Sequence, residues 1–281
     1  MIVFLSDNGS LRPEVWRNLS RVAAALQDRI GVRVRPASVL HSNRIPPAAL
    51  GGERAVIFEE ALREERDAGW ERFCVLPFFI GPTRAITQYL PRVIDRVLER
   101  RERARGTISS APFIYPGASL DDGLLLDLLE RRTRGIIEQE CEHQPPVILV
   151  DHGSPEPAVT AVRDKLAERL SERVRDVAPV VIPASMERRA GAEYDFNEPL
   201  LATALRRKPC ASGTVVLIPL FLAPGRHAGA GGDIPVICSA AEAENPELRI
   251  ARADLLGVGD TIVEILAARF QMWREGNRIC L

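Results

Sequence analysis

Apolar residues fall along this chain in two alternating rhythms: short unbroken runs, and longer stretches with apolar positions three and four apart. The first run, Ile2-Val3-Phe4-Leu5, ends in Ser6-Asp7-Asn8-Gly9-Ser10, after which Val15, Trp16, Leu19, Val22, Ala23, Leu26 and Ile30 fall on one helical face. This pattern predicts a strand, a turn and a helix. Val147-Ile148-Leu149-Val150 opens the second half in the same way. The turn Asp151-His152-Gly153-Ser154 follows, then Val159, Val162, Leu166, Leu170 and Val174 at helical spacing. Ser154 before Pro155 reads as a helix N-cap with proline at the first helical position, where its missing N–H costs nothing.

The correspondence runs on through both halves. Pro36-Ala37-Ser38-Val39-Leu40 ends an expected second strand, and Pro183-Ala184-Ser185-Met186-Glu187 does so in the second copy. Helices are expected over about Glu53 to Ala68 and about Glu198 to Arg207. Each leads into a strongly apolar strand, Phe73 to Ile80 or Val215 to Leu222, and then a loop, Gly81-Pro82-Thr83-Arg84-Ala85 or Ala223-Pro224-Gly225-Arg226-His227. A short strand (Ile108 to Ile114; Leu248 to Ala253) and a helix starting near Asp122 or Asp260 close each copy. Two βαβαβαβα repeats imply an α/β fold of two tandem lobes, each a mainly parallel four-stranded sheet flanked by helices. The repeat boundary falls at Glu140 to Pro146, where charge and a Pro-Pro pair interrupt the pattern, giving lobes over 1–140 and 147–281. The arginine-rich run Glu99 to Arg105 reads as a solvated helix end.

Composition narrows the function. Lysine plus arginine (37) nearly cancels aspartate plus glutamate (38), so no global field points to nucleic acid or to an anionic membrane. Five dispersed cysteines without a C-x-x-C pair favour free thiols in a reducing cytoplasm. The N-terminal apolar run is too short for a signal-peptide core and meets Asp7 at once, and no run approaches the roughly 18 residues that span a bilayer. A cytoplasmic protein is the expectation.

The repeat also acts as an internal control. Where the first half has Asn8, Leu40 and Ala85, the second has His152, Glu187 and His227, all at strand ends or in the loops after them. In a parallel sheet those ends face one rim, the usual ligand-binding edge. Two imidazoles and a carboxylate suit a borderline divalent ion such as Fe²⁺, Co²⁺, Ni²⁺ or Zn²⁺, and the same groups accept protons near neutral pH.

The apolar strand with Asp151-His152-Gly153-Ser154, the later Ala184-Ser185-Met186-Glu187, and Ile218 to His227 with Asp233-Ile234-Pro235 together resemble the class II sirohydrochlorin chelatases. These enzymes insert cobalt or iron during cobalamin and sirohaem synthesis. The resemblance covers both halves in outline, with the metal-site motifs confined to residues 147–281 and the first lobe degenerate. It implies that His152 and His227 bind the metal and accept protons, that Glu187 assists, and that no nucleotide is needed. The substrates would be Co²⁺ or Fe²⁺, with Ni²⁺ as a further option, and a tetrapyrrole. Members carry their two lobes in one chain or in a dimer, so a monomer would suffice here. Carboxylates on the macrocycle favour arginine forks, and Arg226, Arg188 and Arg189, with Arg84 from the other lobe, are candidates beside Ser154 in the turn. The alternative is a chelatase-fold protein that holds metal or tetrapyrrole without inserting one into the other.

Several residues have structural readings of their own. Arg226 recurs as Arg84 and can brace its loop, Asp151 recurs as Asp7 and supports the turn, Cys141 and His143 lie in an exposed linker, and His41 is surface.

Overall fold

The structure is a computed structural model that describes residues 1–99, 107–117, 120 and 123–279. Among the described residues, eight strands form two separate four-stranded sheets, parallel throughout. The first contains β1 (Ile2–Ser6), β2 (Val34–Pro36), β3 (Phe73–Pro77) and β4 (Ile108–Ser110), in the order β2-β1-β3-β4. The second contains β5 (Val147–Asp151), β6 (Val181–Ser185), β7 (Gly213–Pro219) and β8 (Leu248–Arg252), in the order β6-β5-β7-β8. Identical order in both sheets is the architectural form of the sequence repeat. β1, β3 and β5 are buried at every position, as expected for strands covered on both faces by helices.

The helices are α1 (Pro13–Ile30), α2 (Phe58–Asp67), α3 (Leu90–Val97, entered through a π turn at Ala85–Tyr89), α4 (Leu124–Glu140), α5 (Pro157–Val174), α6 (Leu201–Ala204), α7 (Asp233–Glu244) and α8 (Thr261–Arg274). The α1 face is the expected one: Val15, Trp16, Leu19, Val22, Ala23 and Leu26 are buried, while Ile30 at the fraying end is half-exposed. In the second half the helix starts later than the sequence suggests. Its first residue is Pro157, and Ser154 lies outside it, its hydroxyl accepting the Glu156 N–H at 3.0 Å.

Two expected helices are shorter than their patterns. Residues 56–58 pair with Ser38 through Ser38 N–H to Val56 O and Phe58 N–H to Ser38 O, so α2 cannot begin before Phe58. In the second half Ser185 N–H bonds Pro199 O and bridges to Leu200, leaving only four residues for α6. In each case a backbone bond to the extension of β2 or β6 overrides local helix propensity.

The chain divides into two compact units, one of Met1–Ser119 with Gly259–Leu281 and one of Leu120–Val258. This division cuts across the halves drawn at 140 and 147. The last helix of each half packs on the other sheet: α4 against α5, β7 and β8, and α8 against α1 and β3. α8 is fastened to the first unit by polar as well as apolar groups. The fully buried Arg269 donates from Nε and Nη2 to Ile114 O, and Trp273 Nε1 donates to Ser109 Oγ at 2.8 Å. Beyond it Ile279 exchanges backbone bonds with Ser110, covering the β4 edge. The run Glu99 to Arg105 falls, apart from Glu99, outside the described residues.

Candidate metal and proton site

In a sheet of order β6-β5-β7-β8 the strand order reverses between β5 and β7, and the crevice at that point is where side chains from successive strand ends converge. His152 follows β5, His227 follows β7 by way of a loop, and Glu187 follows β6. Their side chains meet. Nε2 of His152 lies 3.2 Å from Nε2 of His227, with the rings nearly perpendicular at 83°, and Glu187 Oε1 is 3.6 Å from His152 Nε2. The His152 and Glu187 side chains are half-exposed and that of His227 less so.

The other ring nitrogens decide what the facing ones offer. His152 Nδ1 lies 3.0 Å from the Gly153 carbonyl, and His227 Nδ1 lies 2.5 Å from Asp233 Oδ2. Carbonyls and carboxylates only accept, so where each Nδ1 donates to its acceptor the two facing Nε2 atoms of the neutral rings are left with lone pairs. Two lone pairs at this separation repel unless a cation lies between them. The spacing also matches an ion with nitrogens at about 2.0–2.1 Å in tetrahedral coordination, which sets them roughly 3.3 Å apart. Among the described residues no group of three or more His, Cys, Asp or Glu is placed to hold a metal ion, here or elsewhere. Two nitrogens with a more distant carboxylate leave open positions, which suits an ion on its way to another ligand.

The turn that carries His152 rests on a buried polar network. Asp151 Oδ1 accepts from Gly153 N–H at 3.0 Å and from Ser185 Oγ at 2.6 Å. Arg163 of α5, 2% exposed, donates to Ser185 Oγ at 2.5 Å and to Asn197 O at 3.1 Å, and stands 3.8 Å from Asp151. Burial raises the Asp151 pKa, and Ser185, Arg163 and the Gly153 amide oppose the rise. Asn197 in turn holds Ser154 by both its backbone groups. The Glu187 turn is locked to this one: Met186 N–H bonds Asp151 O, Glu187 N–H bonds His152 O, and a Cβ on Gly153 would stand 1.9 Å from Glu187 O.

Around this centre the arginines divide. Arg188 is tied to Glu198 at 2.8 Å, to Asp195 at 3.1 Å and to the Gly191 carbonyl, so its fork is already engaged. Arg189 is exposed, 5.9 Å over the Tyr194 ring, and Arg226 beside His227 is exposed as well. Ala228 to Gly231, with Pro219, Ile234 and Arg252, line a cavity of about 770 Å³ within the same unit. Arg84 belongs to the first unit, at the start of the π turn, together with Asn8, Leu40 and Ala85. Cys141 and His143 sit in the linker, the cysteine free and the histidine exposed. Asp233 carried no role in the sequence reading beyond its place in a motif. The available signal was an acid six residues after a histidine, and only the fold of the intervening loop joins them.

Comparison with known proteins extends this picture. Residues 146–272 match the family model CbiX, a segment that contains every member of the histidine centre. No curated protein matches the sequence. Among solved structures the chain is similar to SirB from Bacillus subtilis with Fe³⁺, at 15% identity and a TM-score of 0.70 over 99% of this chain and 98% of that one. It is similar also to SirB from Bacillus subtilis subspecies spizizenii, a sirohydrochlorin chelatase in complex with cobalt (15%, 0.67, 99% and 97%). A third neighbour is CbiX, described as the terminal enzyme of sirohaem biosynthesis in denitrifying bacteria (18%, 0.61, 96% and 97%). The fold is therefore that of two tandem chelatase-like lobes, with the CbiX match lying in the second half of the chain.

Proposed function

We propose that this chain is a metal chelatase that inserts Co²⁺ or Fe²⁺ into sirohydrochlorin or a related tetrapyrrole without a nucleotide. The observation that carries the reading is the pair of Nε2 lone pairs 3.2 Å apart with Glu187 beside them, on the rim of the second sheet and without counterpart at Asn8, Leu40 and Ala85. The CbiX match and the chelatase fold support it.

Insertion exchanges two pyrrole protons for one dication. His152 and His227 present the ion through two exchangeable nitrogens. As the macrocycle nitrogens replace them, the freed lone pairs accept the departing protons, and Glu187, half-exposed beside His152, relays them to water. Arg226 and Arg189 are the proposed partners of the macrocycle's carboxylates. Arg188, paired with Glu198 and Asp195, and Ser154, whose hydroxyl accepts the Glu156 N–H, are the further candidate contacts to the substrate.

The test is to mix purified protein with sirohydrochlorin and Co²⁺, Fe²⁺ or Ni²⁺ in turn and follow the absorption spectrum. Insertion faster than the spontaneous reaction, lost on His227→Ala, is the expected result. Metal or tetrapyrrole binding without acceleration overturns the enzyme in favour of a binding protein.

A further inference from the structure

We infer that Asp233 is a positioning residue that fixes His227 as the Nδ1–H tautomer and so keeps its Nε2 lone pair available to the ion; the inference rests on the metal-site reading above. The two imidazoles are not held alike. His152 is backed by the neutral carbonyl of its own neighbour, at 3.0 Å, whereas His227 is backed by a carboxylate at 2.5 Å. A hydrogen bond to an ionised acceptor is about twice as strong as one between neutral groups. A carboxylate behind a ligating imidazole fixes ring orientation and makes the opposite nitrogen a better donor.

The loop between the two residues is built to bring them together. Asp233 is the first residue of α7, Ile234 N–H bonds His227 O at 3.0 Å, and Gly232 N–H bonds Gly229 O at 2.9 Å. The chain thus closes on itself by backbone and side chain at once. Gly232 is buried, and a Cβ there would stand 2.6 Å from Arg226 O and 2.7 Å from His227 O, so only glycine allows this closure. In the first unit the chain passes from Arg84 directly into the π turn at Ala85–Tyr89, and the residue at the same offset as Asp233 is Pro91. The half that lacks the histidine lacks the acid and the loop as well.

Asp233 has a structural alternative, since an acid in the first turn of a helix is favoured by the helix dipole by itself. The experiment separates the two roles with Asp233→Asn, which keeps the shape while offering an N–H to Nδ1 and so favouring the Nε2–H tautomer. Nitrogen-15 NMR of the histidine rings in the metal-free protein reads the tautomer. Titration with Co²⁺ alone, read by its visible absorption, gives the affinity. The expected outcome is a switch of His227 to Nε2–H and a 10- to 100-fold loss of Co²⁺ affinity, the size found when such outer partners are removed. Asp233→Glu, which keeps the acceptor, should retain the wild-type tautomer. A purely helix-supporting acid would lower the melting temperature and leave tautomer and affinity alone, and that outcome overturns the inference. Co²⁺ affinity unchanged in His227→Ala would instead overturn the metal-site reading, while the tautomer of Asp233→Asn would still decide the role of Asp233.

Discussion

Arg163 and Leu19 occupy the same register in their helices, each six residues after the proline that opens α5 or α1, and each is buried. Arg163 stands 3.8 Å from Asp151, whereas the matching Asp7 has a leucine at that register. Asp7 is 8% exposed, one of its oxygens has no hydrogen-bond partner, and burial pushes its pKa up to about 6 despite a bond from Ser38. The first unit has kept the turn-supporting acid without the cation that balances it.

Asp7 therefore makes stability fall as pH rises. Its folded pKa lies above the unfolded value of 3.8, so between about pH 4 and pH 6 the native state holds a proton that the unfolded chain has released. The contribution is fully present below pH 4 and lost above pH 6, a change of about 3 kcal/mol at 1.36 kcal/mol per pKa unit. Asp7→Asn should remove that loss. Urea unfolding at pH 4.5 and 7.5 checks it: the variant should gain more over wild type at the higher pH, and an equal gain at both would contradict the assignment.

In the second unit the same logic predicts coupling. Arg163→Leu leaves Asp151 buried without its nearest cation and Ser185 without a donor, and should cost about 3 kcal/mol, the range for breaking a buried pair. Adding Asp151→Asn removes the stranded charge, so the double variant should lose less than the two single losses combined. A double-mutant cycle from chemical denaturation measures this. Strict additivity would show that the two groups do not interact.

Much of this arrangement was legible in the sequence because it depends on local pattern. Strand runs buried on both faces and the α1 stripe need no tertiary knowledge, and two histidines placed after β5 and β7 of a parallel sheet point to one rim. What escaped depends on long-range contacts. Backbone bonds from Ser38 and Ser185 shorten α2 and α6, and nothing in the composition of α4 or α8 tells which sheet it will cover. The pairing of Arg188 with Asp195 and Glu198 likewise emerges only from the fold, because those acids lie seven and ten residues further along the chain.

Gly153 couples the two turns that carry His152 and Glu187. Its φ of +89° disfavours any side chain, and a Cβ would overlap Glu187 O. Gly153→Ala should cost at least about 3 kcal/mol and weaken Co²⁺ binding together with stability. Gly213→Ala is the control, because its φ of +73° carries the same backbone penalty with nothing within 4 Å of the added carbon. It should cost only about 1 kcal/mol and leave Co²⁺ affinity unchanged. Thermal denaturation and Co²⁺ titration of both variants distinguish steric coupling from backbone strain alone.

Removing either imidazole should separate the two halves of the chain functionally. With one nitrogen left, the ion keeps a single protein ligand beside a carboxylate 3.6 Å from His152, so His152→Ala or His227→Ala should lower Co²⁺ affinity by at least about tenfold. Asn8→Ala should change neither affinity nor insertion rate, since asparagine offers only a weak carbonyl and its neighbours Leu40 and Ala85 offer no side-chain ligand. The single histidine variants should also gain rather than lose stability in the metal-free state, because each relieves the approach of two lone pairs at 3.2 Å. Calorimetric titration with Co²⁺ and melting curves in chelator measure both effects, and a His152→Ala/His227→Ala double variant that still binds Co²⁺ as wild type does would move the metal site elsewhere on the chain.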